Sequence, residues 1–442
     1  MRLELENINI VRHADIRMDG LTVIAGENGS GKSTIGKLLF SIVKSLSNIS
    51  AQKEDYKMKT VSKYVESVYR RLNDVTNRVE NTEFNKEFPL PSTKLVKYFM
   101  KIFNDDVLDP QAKKSLYRTK LDSMQRVIDS IEEIPPRMRK LLEGDFKNIL
   151  ICLDEPDNTA ADMATEVKYL IESEFMNRIC SSGTDTSYVD LEIDDSTGVH
   201  LDLMKEDVVS VNLTRGSSDS LQDATYVESP LYLHLLDAIL TARTFREGAQ
   251  KNRLLRNAMV PTHIKDLAEK IDAARLVPEG KEQQLSVEPG GCFKFKDRSL
   301  YYEKDGVLFS PINVASGLKS FGIIQMLLET GVINEKKILI WDEPENHLHP
   351  KWQIAFASVL VGLAKQGVPV IISTHSPYFV QGIRFFAAQE NVEKFVSYYL
   401  VEQNEKNGMS DVTDVTKDLN RVFSKLADPL KHIMNMPNPK VE

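Results

Sequence analysis

Gly26-Glu27-Asn28-Gly29-Ser30-Gly31-Lys32-Ser33, followed by Thr34, decides the reading of this chain. Its fixed positions fit the phosphate-loop spacing G-x-x-x-x-G-K-[ST]. The spacing has a physical cause. Glycines let the backbone turn tightly enough for several N–H groups to point at one anion. A helix starting near Gly31 adds the partial positive charge of its N-terminus. Lys32 then reaches the β- and γ-phosphates, and Ser33 offers its hydroxyl to Mg²⁺. Asn28, Gly29, Ser30, Gly31, Lys32, Ser33 and Thr34 are thus the nucleotide-binding candidates.

The flanks agree. Leu21 to Ala25 is a short apolar run that reads as a strand, and Ile35, Leu38, Leu39 and Ile42 follow at helical spacing. Upstream, Leu3, Leu5, Ile8 and Ile10 alternate with polar residues, which predicts an antiparallel hairpin beside the phosphate-loop strand. Arg12 falls between the two strands of that hairpin, within reach of a nucleotide or as a solvated turn residue.

A second cluster lies in the C-terminal half. Ile338 to Trp341 is an apolar run ending in Asp342-Glu343. Asp342 suits the Mg²⁺ shell. Glu343 suits a base that orients the attacking water. Trp352 to Leu363 reads as a helix and Val368 to Ile372 as the next strand, ending at Ser373-Thr374-His375-Ser376. Strand, helix, strand is a parallel unit, so Glu343 and His375 emerge at one carboxyl edge, where ligands bind in open α/β sheets. His375 is placed to hydrogen-bond a γ-phosphate or the water. The Ser316-Gly317 pair opens another helix and could hold an anion through its N–H groups.

Composition bounds the rest. The chain has 442 residues, 27% of them charged, and a formal net charge of −8, which gives no global push toward nucleic acid. Three scattered cysteines fit a reducing cytosol, and so a cytoplasmic protein. No signal peptide opens the chain, and the apolar stretch near Phe356 to Ala364 is too short to span a bilayer, so no membrane partner is expected.

Residues 44–187 have a different texture: Val61, Tyr64, Val65, Val68 and Leu72 recur at helical spacing, as do Leu95, Tyr98, Phe99 and Ile102. A largely helical insertion is expected there. Ile149 to Leu153, ending in Asp154-Glu155, imitates the Ile338 run, but no partner motif follows it at strand spacing. Residues 188–212 alternate again and are expected to rejoin the hairpin sheet, and Phe293 to Leu308 reads as a β-hairpin turning at Lys304-Asp305-Gly306. A basic run, Arg243, Arg246, Lys251, Arg253 and Arg256, reads as a solvated helical face or as a phosphate-backbone surface. His347 and His349 lack further nearby ligands for a metal.

Taken in order, the motifs resemble the ABC-type ATPases of the SMC, RecF and overcoming-lysogeny-defect group. The residues that carry the resemblance are Gly26 to Thr34, Ser316-Gly317, Asp342 to Asn346 with Leu348-His349-Pro350, and Thr374-His375-Ser376. It implies an α/β fold: an ABC-type P-loop ATPase head at 1–43 and 188–400, with a mixed antiparallel lobe and a parallel core sheet. The helical insertion and a helical tail at 401–442 complete the chain. It also implies that two heads sandwich ATP, with Ser316 acting on the partner's γ-phosphate. Glu345 and Asn346 would then lie near the seam and Arg12 at a nucleotide-contacting position. Ala315 stands where transporters have leucine. The glutamine that usually ligates Mg²⁺ has no assigned place, Gln222 being a bare suggestion. The chain looks similar to the ATPase subunits of bacterial anti-phage systems such as Septu or PARIS, where the ATPase assembles with a separate effector, often a nuclease. A RecF/SMC-like ATPase acting directly on DNA is the alternative, and the basic run after Arg243 is the feature that favours it.

Overall fold

The computed structural model describes all residues except 77–81, 104, 106–107, 133, 155–158, 177, 205–206, 215–220, 241–259, 278–289, 298 and 435–442. The basic run from Arg243 to Arg256 therefore lies outside the described residues. The first elements are β1 (Arg2–Ile8), β2 (Val11–Arg17), β3 (Leu21–Gly26), α1 (Lys32–Thr76), α2 (Thr82–Glu87), α3 (Thr93–Phe103), α4 (Pro110–Asp129), α5 (Pro136–Asp154) and α6 (Thr159–Phe175). Next come β4 (Thr186–Glu192), β5 (Gly198–Met204), β6 (Asp207–Thr214), β7 (Asp223–Val227), α7 (Thr262–Asp272), β8 (Cys292–Lys296), β9 (Ser299–Lys304) and β10 (Val307–Phe309). The last are α8 (Ser316–Glu329), β11 (Lys337–Asp342), α9 (Pro350–Lys365), β12 (Val370–Thr374), α10 (Pro377–Gln389), β13 (Val396–Gln403), β14 (Ser410–Asp414) and α11 (Leu419–Met434).

The chain divides into two compact units, Met1–Ser47 with Ala160–Glu442, and Asn48–Thr159. The larger unit is built on an eleven-stranded sheet ordered β6-β5-β4-β1-β2-β14-β13-β3-β12-β11-β7. β7, β11, β12, β3 and β13 run parallel. Every residue of β3 is buried, as a parallel strand covered on both faces requires. β1 instead alternates, with Leu3 and Leu5 buried between Arg2, Glu4 and Glu6, and pairs antiparallel with β2 and β4. This is an α/β fold: a parallel core sheet joined to an antiparallel lobe.

Some expectations need correction. The β1–β2 hairpin is not next to β3, because β13 pairs with β3 and β14 pairs with β2, filling the gap between them. β13 extends to Gln403 and β14 follows, so the residues after 400 complete the central sheet before α11 begins at Leu419. The stretch from Phe293 forms three strands, β8-β9-β10, rather than one hairpin. Asp305 and Gly306 turn β9 into β10 with φ of 51° and 76°, the pattern of a type I′ turn.

The smaller unit has its own core, in which Phe84, Phe88, Phe99, Met124 and Leu142 are buried together. The Ile149 run belongs to helix α5. Leu142, Phe146, Ile149 and Leu153 are buried four, three and four residues apart, whereas Ile151 is exposed, so its apolar period is helical.

Candidate functional site

The parallel strands converge on the phosphate loop. β3 ends at Gly26, and Gly29 and Gly31 take φ of 76° and 104°, a region that favours glycine. A Cβ on Gly31 would stand 2.7 Å from Val11 Cγ2, so the β1–β2 turn supports the loop from below. The Thr34 amide donates to Gly31 O at 3.1 Å, starting α1. Ser30 Oγ is buried without a protein hydrogen-bond partner, an orphaned group of the kind a phosphate oxygen satisfies. Lys32 Nζ donates to Gly26 O at 3.1 Å and to Glu27 O at 2.9 Å, and lies 3.5 Å from Glu343 Oε1.

β11 and β12 deliver the acidic and histidine partners side by side, because Asp342 pairs in register with Ser373. Asp342 accepts hydrogen bonds from the Ser373 hydroxyl and, at 3.0 Å, from Tyr226 Oη. Glu343 accepts from Asn346 Nδ2 at 2.9 Å. His375 Nδ1 stands 3.3 Å from Glu343 Oε1 and 3.5 Å from Glu345 Oε1, the geometry of an ion pair rather than of an aligned hydrogen bond. His375 and then Asn346 and Lys32 draw the Glu343 carboxyl down to about 2, against the effect of burial. Glu343 in turn raises the His375 imidazole above its ordinary value. A carboxylate held ionised in this way remains a hydrogen-bond acceptor, which suits orienting a water beside a γ-phosphate.

The sequence candidates fall into three groups. Lys32, Glu343 and His375 form one cluster, with Asp342 beside it. Ser316 and Gly317 start α8 against the turn that follows β11: a Cβ on Gly317 would stand 2.8 Å from Leu348 Cδ2 and 3.3 Å from His347 O. Ser316 takes part in none of the hydrogen bonds of the Lys32 cluster among the described residues. Arg12 lies on β2 rather than between strands, and is paired with Asp411 of β14 at 2.9 and 2.5 Å. Gln222 precedes β7, its amide bonded to Lys336 O, at the amino edge of the parallel strands. Asp342 is at the carboxyl edge, so Gln222 is not the missing ligand. His349 caps α9, accepting from the Lys351 amide, and no group of three or more His, Cys, Asp or Glu placed to hold a metal occurs among the described residues. Ser376 caps α10 by accepting from the Phe379 amide, which leaves His375 as the chemical member of its triplet.

Ser33 and Asp342 fit Mg²⁺, since both offer hard oxygen ligands. They line, with Lys32, Tyr226 and Ser373, a cavity of ≈ 10 Å³, about the room of one water. Bound there, the ion would neutralise charge on the β- and γ-phosphates. A larger groove of ≈ 730 Å³ lies over the antiparallel lobe, lined by Arg2, Arg17, Glu192, Asp194 and His200, and holds none of these groups.

Sequence reading missed Tyr226 and Glu228. Tyr226 reaches Asp342 because Gly36 of α1 leaves space: a Cβ there would lie 2.8 Å from Tyr226 Cε2. Burial, and then Asp342, hold its hydroxyl well above the usual tyrosine value, so it remains a donor. Glu228 follows β7 directly and contacts Lys37 at 3.3 Å, one helical turn beyond Ser33. Neither carries a spacing motif.

The family described as "AAA domain, putative AbiEii toxin, Type IV TA system" matches residues 208–381, which include Ser316, Asp342, Glu343 and His375. A second family, described as "AAA domain", matches residues 2–174, which include the phosphate loop. These two matches, one over each group of site residues, support an ATPase of the AAA kind. Among curated proteins, "Protein ea59" of Escherichia phage lambda is 46% identical over 54 residues, 12% of this chain and 10% of that relative's length. Among solved structures, the SMC head domain from Thermotoga maritima covers 94% of this chain and 98% of its own at 12% identity and a TM-score of 0.37. An SmcHead bound to the C-winged helix domain of ScpA covers 95% and 98% at 11% identity and a TM-score of 0.41.

Proposed function

We propose that this chain hydrolyses ATP between two copies of itself, and that the ATP-held dimer controls a separate effector protein, a nuclease being the favoured class, in defence against phage. Glu343 orients the attacking water, His375 holds Glu343 and faces the γ-phosphate, and Lys32 neutralises phosphate charge as the bond to the leaving group opens. The observation that carries the reading is the division of the site. Lys32, Glu343 and His375 stand together, while the Ser316 helix start sits apart, beside His347 and Leu348. The N-cap of that helix, Ala315, supplies no side-chain hydrogen bond, so its first N–H groups are available to an anion carried by another copy.

The test is the oligomeric state with Mg²⁺-ATP, measured by light scattering. Glu343→Gln should bind ATP, hydrolyse it at least ~100-fold more slowly and accumulate as a dimer. Lys32→Ala should remain a monomer. Identical behaviour of the two variants would refute the switch.

A further inference from the structure

His263 of α7 has no solvent exposure and is hydrogen-bonded on both ring nitrogens. Nδ1 is 2.5 Å from Glu174 Oε2, near the end of α6, and Nε2 is 3.1 Å from Glu228 Oε2. Glu174 is itself fully engaged: its other oxygen accepts the His263 amide at 3.0 Å. Two carboxylates facing both nitrogens require a proton on each, so the ring is an imidazolium bridge. The same ring packs edge-on against Tyr226, with centroids 4.9 Å apart. One buried side chain therefore supports both residues that reach the nucleotide side of β7: Tyr226, which bonds Asp342, and Glu228.

Register makes the placement specific. Trp341 pairs with Val227, the last residue of β7, so Glu228 leaves the strand beside the end of β11, where Asp342 stands. Side chains two apart share a face, so Glu228 lies on the side of Tyr226, toward α1 with Lys32 and Ser33. Tyr232 Oη and Lys37 hold the remaining valences of Glu228. None of these contacts is needed merely to anchor α7. A separate quartet already does so: Lys44 and Lys270 bridge Asp223 and Asp266 at 2.6 to 2.9 Å.

We infer that His263 and Glu174 are positioning residues of the ATPase, fixing Glu228 and Tyr226 so that Asp342 presents its carboxylate correctly to the magnesium-bound nucleotide. The inference rests on the proposed ATPase reading. Groups behind a metal ligand typically change metal affinity by about 10- to 100-fold when removed.

The test is the Mg²⁺ concentration needed for half-maximal binding of a fluorescent ATP analogue to the full chain, with melting temperature followed in parallel. His263→Asn and Glu174→Gln should each raise that concentration about tenfold. Asp266→Asn, in the anchoring quartet, should lower the melting temperature and leave the Mg²⁺ requirement where it was. If His263→Asn does not fold, the isosteric Glu174→Gln decides alone. An unchanged Mg²⁺ requirement in the positioning variants, or an equal rise in Asp266→Asn, overturns the inference. Wild-type protein that binds no nucleotide would sink the ATPase reading and this inference together. Wild-type binding with unmoved variants sinks this inference only.

Discussion

Glu343 holds a backbone φ of 46°, a left-handed conformation that costs a side-chain-bearing residue about 1–3 kcal/mol and persists only where its surroundings impose it. Those surroundings are its hydrogen-bonded neighbours: its amide donates to Ser373 O at 3.1 Å and its carboxylate takes Asn346. The strain keeps the carboxylate turned toward Lys32 and His375. The pH behaviour follows. Glu343, drawn down to about 2, stays ionised across the neutral and mildly acid range. His375, raised above its ordinary value by Glu343, keeps its charge to higher pH than a free imidazole and loses it as pH rises through that raised value. The ion pair is therefore intact at low pH and opens on the alkaline side. A plot of kcat against pH should show no acid limb from Glu343 near the usual carboxylate range, and an alkaline limb that vanishes in His375→Gln. An alkaline limb unchanged by that substitution would remove His375 from the site.

At the level of elements, α1 and β7 meet through Gly36 and Tyr226. Alanine at an interior helix position gains about 1 kcal/mol over glycine. Gly36→Ala should nevertheless lower the melting temperature, because its Cβ would press on a Tyr226 ring that is buried and pinned to Asp342. Tyr226→Phe should be milder, losing roughly 1 kcal/mol with its hydrogen bond. A melting temperature raised by Gly36→Ala would show that the ring has freedom to retreat. The same two elements explain what sequence reveals and hides. The phosphate loop and the Asp342–His375 unit are legible because each function is fixed by local spacing and by a short βαβ crossover. Tyr226, Glu228, His263 and Glu174 are not, because they join elements 35 to 191 residues apart by side-chain contacts that leave no period. The Ile149 run misleads for a related reason: five apolar residues fit a buried strand or a buried helix, and only packing against Phe146 and Leu142 decides. The insertion of β13 and β14 between β3 and β2 is likewise a long-range pairing that β1–β3 alone cannot specify.

Across the molecule, each unit has a core of its own. Phe99 is fully buried in the smaller one, and Phe99→Ala should cost about 3–5 kcal/mol. Calorimetry should show a transition moving to lower temperature; no shift in any transition would mean that this core is not a cooperative element. The larger unit holds the Lys32 cluster and the Ser316 helix start apart, and in the proposed dimer the two meet between copies. No helix among the described residues is long and apolar enough to cross a membrane. Mixing two inactive variants tests the claim most directly. Ser316→Arg keeps its phosphate loop, and Lys32→Ala keeps its Ser316 helix. In a two-fold dimer, a pair made of one copy of each contains one complete site of two, so ATPase activity should rise well above that of either variant alone, to at most about half of wild type. Activity that stays at the level of the separate variants, with mixed dimers present, would contradict a site shared between two copies.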